Sequence, residues 1–203
     1  MVYATFNKIL SPLLKKKLAE VSGAELLPRR GPYILAANHL DYLDGFYIAM
    51  AVYQSRQHKV YFLTKTTNYW WTNATIPIEA GRRSESVDDA LRHLRAGRVI
   101  CNFIEGQRNS SRRLLPGKTG TSRIALLADV PVIPVGVVGP SARNFAQSLA
   151  SLITERENVA VHFGPEVDLD RWRRQPLDYR ALQAATDQIM RALVPLTGKA
   201  YAG

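Results

Sequence analysis

A histidine followed five residues later by an aspartate, His39 and Asp44, is the pairing in this chain best suited to moving a proton. The carboxylate would accept the proton on one ring nitrogen, fix the tautomer and stabilise the cation. The other nitrogen would then be left to act as a base. A spacing of five does not put two side chains on one helical face, whereas three or four would. The pair therefore requires His39 to precede a helix and turn back over its first turn. The bland alternative is a loop histidine and an acid that favours a helix start. A second group follows the apolar run that ends at Ile104: Glu105-Gly106, then Arg108, Arg112 and Arg113, with Lys118 beyond. Glycine lets a backbone approach a ligand closely, arginine forks suit phosphate, and a helix starting near residue 120 adds free amides. The alternative there is a solvated basic loop. A third basic cluster, Arg82-Arg83, follows IPIEAG.

These residues need elements to hold them. Tyr33 to Ala37 is an apolar run that reads as a buried strand, ending at Asn38-His39. A second apolar-periodic run, Tyr42 to Tyr53, reads as a helix with Asp41 at the N-cap and Asp44 in the first turn. His39 thus lies in a strand-to-helix loop, where open α/β sheets place their chemistry. Strands are expected near 33–37, 59–64, 75–78, 98–104, 131–138 and 158–163, and helices near 42–53, 87–96, 120–129, 141–153 and 178–194. Ser86 and Gly97 punctuate the second of these helices. Pro131 and Pro134 fall in the run Val130 to Gly139, which predicts an edge strand, a bulge or a strand shaped for a purpose. The alternation argues for an α/β fold with a mixed, mainly parallel sheet flanked by helices.

Residues 1–28 are expected to form an arm of two short amphipathic helices, ahead of an α/β domain over 29–203, the whole being a single globular unit. Val2, Phe6, Ile9 and Leu10 make one stripe. Leu13, Leu14, Leu18 and Val21 make the next, interrupted by Lys15, Lys16 and Lys17. Such an arm could pack on the core with a solvated lysine face, or lie on anionic lipid, where each Lys adds roughly 1 kcal/mol.

With 203 residues, 46% of them hydrophobic, the chain can bury one substantial core. Its net charge of +10 argues for an anionic partner. The lone Cys101 excludes an internal disulfide and predicts a reducing compartment. No secretory signal or membrane-spanning run is expected. Metal-ligand spacing is absent, with histidines at 39, 58, 93 and 162. Gly117-Lys118-Thr119 resembles the tail of a P-loop, but Arg112 stands where its first glycine is required. There is no G-x-S-x-G elbow, and no nucleic-acid motif accompanies the charge.

Four blocks in order resemble the glycerophospholipid acyltransferase family, the group containing bacterial 1-acylglycerol-3-phosphate acyltransferases. They are Asn38-His39 with Asp44 (N-H-x4-D), Ile76-Pro77-Ile78 followed by Arg82, Phe103-Ile104-Glu105-Gly106-Gln107-Arg108 (F-P-E-G-T-R), and Val130 to Val135 (V-P-V-I-P-V). The resemblance covers roughly residues 22–170. The chain departs from it at Ile104, where the family has proline, and at Ala80, where the family's arginine falls and Arg82 or Arg83 must stand in. The stretch Lys65 to Ile76 is also shorter than usual.

The resemblance implies transfer of a fatty acyl group from a thioester, acyl-coenzyme A or acyl-carrier protein, to a lysophospholipid hydroxyl, without cofactor or metal. His39 would be the base and Asp44 its orienter. Asn38, Glu105 and Gly106 would shape the acceptor site, and Arg82, Arg83, Arg108 and Lys118 would hold its phosphate. It also implies a cytoplasmic protein peripheral on the inner face of an anionic membrane, with Tyr69-Trp70-Trp71 as interface aromatics. A different lipid acceptor, or a non-catalytic basic lipid-binding module, are the rival expectations.

Overall fold

Every residue of Tyr33–Ala37 is buried, so this strand needs cover on both faces. A computed structural model supplies that context and describes residues 11–64, 75–78, 83–154 and 158–202. Residues 11–17 are helical (α1). There follow β1 (Leu18–Ser22), a 3₁₀ turn (Ala24–Leu26), β2 (Tyr33–Ala37), α2 (Asp44–Arg56), β3 (Val60–Thr64), β4 (Thr75–Pro77) and α3 (Arg83–Arg95). Then come β5 (Val99–Phe103), α4 (Gly120–Ala128), β6 (Val132–Val138), α5 (Phe145–Thr154), β7 (Val159–Phe163), α6 (Asp170–Arg173) and α7 (Tyr179–Thr197).

Among the described residues the sheet has seven strands in the order β1-β7-β6-β2-β5-β3-β4, all pairs parallel except β6 with β7. This is the expected mixed, mainly parallel α/β fold. Side chains alternate across each strand. Tyr33, Leu35 and Ala37 join Leu14 of α1, Ile48 of α2 and Leu152 of α5 on one face. Ile34 and Ala36 join Leu94 of α3, Ile124 of α4 and Ile189 of α7 on the other. Cover on both faces is why the strand sequences read as unbroken apolar runs.

Several local expectations are corrected. The second N-terminal helix stops at residue 17, and Leu18–Ser22 is a strand paired with β7. Its apolar spacing fits a helix, but the open edge of β7 offers backbone partners, and tertiary pairing prevails over propensity. Lys17 does not share a solvated face with Lys15 and Lys16: it is buried, and its ammonium donates to the Ser151 carbonyl in the last turn of α5. Helix α3 begins at Arg83, so Ser86 lies inside it, and Glu85 favours that earlier start. Asp41 does not cap α2, whose N-cap is Leu43. Helix α5 starts at Phe145 rather than 141, and the short α6 was not expected. β6 is interior, not an edge. Pro134 falls where the missing donor costs little: its carbonyl accepts from Gly164, so its nitrogen faces β7, whose pairing ends at Phe163.

Residues 1–10 with the first apolar stripe, Tyr69-Trp70-Trp71 and Arg82 lie outside the described residues. No described helix is long and apolar enough to cross a membrane.

Candidate active site

β2 and β5 are parallel neighbours with Ala37 opposite Phe103, so the loops that follow them leave the sheet side by side. One carries Asn38-His39 and the other Glu105-Gly106. The remaining flank of β2 is held by β6, Ala37 pairing with Val135. The loops after three adjacent parallel strands therefore share the region beyond the carboxyl ends, where open α/β sheets hold their crevice.

Within it His39 Nδ1 lies 2.8 Å from Asp44 Oδ2. The same oxygen accepts the backbone N–H groups of Leu40 (2.6 Å) and Asp41 (2.8 Å). The loop 38–43 wraps round the carboxylate, which brings together two residues that helical spacing alone would separate. Burial pushes the Asp44 carboxyl up from its ordinary value, and the His39 contact and the two N–H groups pull it back. The His39 ring stacks on Phe103, centroids 3.9 Å apart and planes 14° apart. With Nδ1 directed at Asp44, Nε2 has no hydrogen-bond partner among the described residues.

Asn38 is wholly buried. Its Nδ2 donates to the Val137 carbonyl (3.0 Å) and its Oδ1 accepts the Val137 N–H (2.7 Å), so its amide extends the β2–β6 ladder one step beyond the strand. That fixes the residue before His39. Asp41 ties the loop to α5 and the chain just ahead of it: Oδ1 accepts from the Leu43 N–H, and Oδ2 from the Ala142 N–H and the Ser148 hydroxyl, both at 2.8 Å.

Glu105 is 1% exposed and points inward. Its Oε1 accepts the His39 N–H at 3.4 Å, and its Oε2 accepts from Asn109 Nδ2 (2.6 Å) and the Leu115 N–H (2.8 Å). The carboxylate thus gathers the 104–115 loop against the His39 loop. Gly106 has φ +73°, a left-handed turn that glycine accepts without strain, and a Cβ there would press on the Lys118 stem at 3.2 Å. Arg108 lays its guanidinium 3.5 Å over the Tyr42 ring, which places a cation on the outer side of the His39 loop. Lys118, Arg112 and Arg113 are exposed. Arg83 opens α3, the helix that follows β4 in the chain. The structure thus brings together His39, Asp44, Asn38, Glu105, Gly106, Arg108 and Lys118.

Three further contributors had no role expected from the sequence, although the first belongs to the Phe103–Arg108 block. Phe103 supplies the ring under His39. Asn109, nearly buried, donates its N–H to the His39 carbonyl at 2.7 Å. Lys199, ninety residues further on, donates to the Asn109 carbonyl at 2.6 Å. Among the described residues, no three His, Cys, Asp or Glu side chains converge to hold a metal ion.

Comparison with known proteins identifies relatives of this chain. The 1-acyl-sn-glycerol-3-phosphate acyltransferase of Escherichia coli K12 is 29% identical over 125 residues, 60% of this chain and 48% of that one. The enzyme of the same name from Salmonella typhimurium is 34% identical over 76 residues, 36% of this chain and 31% of that one. The chain spans about half the length, or less, of the curated relatives it matches. The crystal structure of PlsC, the 1-acyl-sn-glycerophosphate acyltransferase of Thermotoga maritima, superposes with a TM-score of 0.58. It covers 98% of this chain and 84% of that one at 17% identity, a likeness of fold. A model of the family described as Acyltransferase matches residues 19–138, more than half of the sequence and all of the crevice from β2 to β6, and the chain belongs to that acyltransferase family.

Proposed function

We propose that this protein transfers a fatty acyl group from a thioester, acyl-coenzyme A or acyl-carrier protein, to the free hydroxyl of 1-acylglycerol-3-phosphate, giving phosphatidic acid. The observation that carries the reading is the His39–Asp44 contact at 2.8 Å, set at the carboxyl end of the central strand, with Nε2 left without a hydrogen-bond partner among the described residues.

The chemistry follows from that arrangement. His39 Nε2 takes the proton from the acceptor hydroxyl as its oxygen attacks the thioester carbonyl. The new ester C–O bond forms, the C–S bond breaks, and the departing thiolate takes the proton back from the imidazolium. Asp44 holds Nδ1–H and stabilises the cation between these two transfers. The thioester is already activated, so the step the protein must supply is deprotonation and placement. Arg108 and Lys118 are the cations at hand for the acceptor's phosphate, with Arg82 and Arg83 as further candidates. Asn38 and Glu105 act by holding the loops, and Gly106 by keeping the entrance open.

Both acceptor and product reside in a bilayer, and peripheral docking on an anionic surface fits two features. Helix α5 exposes Phe145 (37%) and Ile153 (76%), with Ala146 and Ala150 between them. Exposed Lys15 and Lys16 stand on α1, which is tied to α5 through Lys17. Tyr42 meets Phe145 edge-on and donates to the Arg143 carbonyl, so this surface adjoins the Arg108 loop.

The test is thiol release from acyl-coenzyme A and from acyl-carrier protein, with and without lysophosphatidic acid, beside a His39→Ala control. Release that needs the acceptor and disappears in the variant supports the reading. A panel of other lysolipids decides the acceptor. Folded protein that releases no thiol with any donor and acceptor would overturn it in favour of a binding module.

A further inference from the structure

The C-terminal segment is built into the site, although it lies outside the residues that match the family model. Helix α7 reaches the sheet at Gly136 of β6, where a Cβ would sit 2.4 Å from the Leu196 carbonyl. This closeness, which a side chain would forbid, brings the end of α7 beside Val137, the residue that grips Asn38. The helix ends at Gly198, with φ +65°, and the chain turns back toward the crevice. Ala200 is then caught on both sides by the 112–114 loop: its N–H donates to the Arg112 carbonyl (3.1 Å) and its carbonyl accepts from Leu114 (2.8 Å). Tyr201 anchors the tail with a 2.7 Å hydrogen bond to Asp187 of α7.

Between these anchors, half-buried Lys199 directs its ammonium to the Asn109 carbonyl at 2.6 Å. Asn109 is the hub of the neighbouring loop. Its N–H holds the His39 carbonyl, its Nδ2 holds Glu105 and the Arg113 carbonyl, and its Oδ1 accepts from both the N–H and the hydroxyl of Ser111. Lys199 therefore reaches His39 through one residue. It also lies within electrostatic reach of the two buried carboxylates beside His39, Glu105 and Asp44, which act against the fall that burial imposes on its ammonium.

We infer that Lys199 is a positioning residue for His39: its ammonium pins Asn109 against the His39 backbone and supplies a countercharge to the Glu105–Asp44 side of the crevice. The inference rests on the acyl-transfer reading for its kinetic consequence, but the clamp exists whatever the reaction. Among the described residues, the charged groups in contact with His39 are Asp44 from α2 and Glu105 from the loop after β5, and Lys199 stands one residue beyond, on Asn109. Arg108 and Lys118 stand at the rim.

The experiment compares Lys199→Met, which keeps the stem, and Lys199→Arg, which keeps charge and donor, with the parent protein. Three quantities are read: thermal melting, kcat and KM for acyl transfer over pH, and the imidazole ¹⁵N resonances of His39, assigned by their loss in His39→Ala. In Lys199→Met, kcat falls about tenfold, as loss of one charge-assisted hydrogen bond would give. KM for the thioester is unchanged, the acid limb of the kcat/KM profile moves to higher pH, and the His39 resonances shift. Lys199→Arg restores all three. Unmoved His39 resonances with parental kcat would overturn the inference. So would an equal loss in both variants that tracks a lowered melting temperature, because Lys199 would then serve the fold alone. If the parent protein transfers no acyl group, the acyl-transfer reading fails, and the resonances still decide whether Lys199 positions His39.

Discussion

His39 and Asp44 meet through an oxygen that is already shared: Asp44 Oδ2 receives the imidazole and the N–H groups of Leu40 and Asp41, all within 2.6–2.8 Å. The aspartate thus holds the loop as well as the imidazole, and the two contacts separate by mutation. His39→Ala should lower acyl transfer by about 10²–10⁴-fold, the usual worth of a general base, with little change in melting. Asp44→Ala should lose activity and also destabilise the fold by about 2–4 kcal/mol, because two buried N–H groups lose their acceptor. Urea denaturation of the two variants beside a thiol-release assay makes the distinction. Equal stability loss in both would contradict it.

Asn38→Ala should cost about 2 kcal/mol, since both of its hydrogen bonds go to the buried Val137 backbone. Activity at a temperature where the variant stays folded should fall through kcat rather than through KM for either substrate. A KM effect alone would mean that the amide touches substrate instead.

Arg108 rests on Tyr42 and makes no ion pair among the described residues. Arg108→Ala should raise KM for a phosphate-bearing acceptor about tenfold, the scale of one charge-assisted hydrogen bond, and leave the melting temperature in place. An acceptor lacking the phosphate should be indifferent to the change. If both acceptors respond equally, Arg108 does not read phosphate.

Replacing Phe145 and Ile153 of α5 with serine and asparagine removes apolar surface that the fold leaves exposed. Sedimentation with phosphatidylglycerol vesicles should drop severalfold, while turnover of a short-chain, monomeric acceptor stays as it was. Undiminished sedimentation would assign any membrane contact to another surface.

Stability should decline above about pH 9. Burial raises the Tyr33 hydroxyl from 10.0 to about 12, and it raises the Cys101 thiol well above its ordinary 9.0, with Asp44 adding to it. Both groups stay protonated in the folded chain after the unfolded chain has lost those protons. Their contribution is therefore whole below pH 9 and is lost as pH rises toward 12, amounting to roughly 2–3 kcal/mol for Tyr33. Urea midpoints from pH 7 to 11 should show the fall, and Tyr33→Phe should flatten it. A level parent curve would count against this.

The strands around the crevice were legible because burial on both faces turns them into uninterrupted apolar runs, Tyr33–Ala37 above all. The Asp44 contact was legible as a condition, since spacing five demands a loop that turns back. What failed had a common cause. Leu18–Ser22 is a strand only because β7 offers an edge, and Asp41 divides its carboxylate between Leu43 at the head of its own helix and residues about a hundred positions away. Asn109 and Lys199 sit in an ordinary polar loop and an ordinary tail. Only the folded chain puts one carbonyl of the first under the ammonium of the second.

β2 stands fourth among the seven described strands, with three on either side. A strand at the middle of a parallel sheet cannot be completed by its sequence neighbours. Asn38 waits for a partner 99 residues later, His39 for Glu105 66 residues later, and Asn109 for a lysine 90 residues beyond itself. During synthesis the histidine and aspartate emerge early, yet the contacts around them are completed only once Lys199 has followed. Such long-range closure slows folding. It also leaves a half-made chain without a positioned His39.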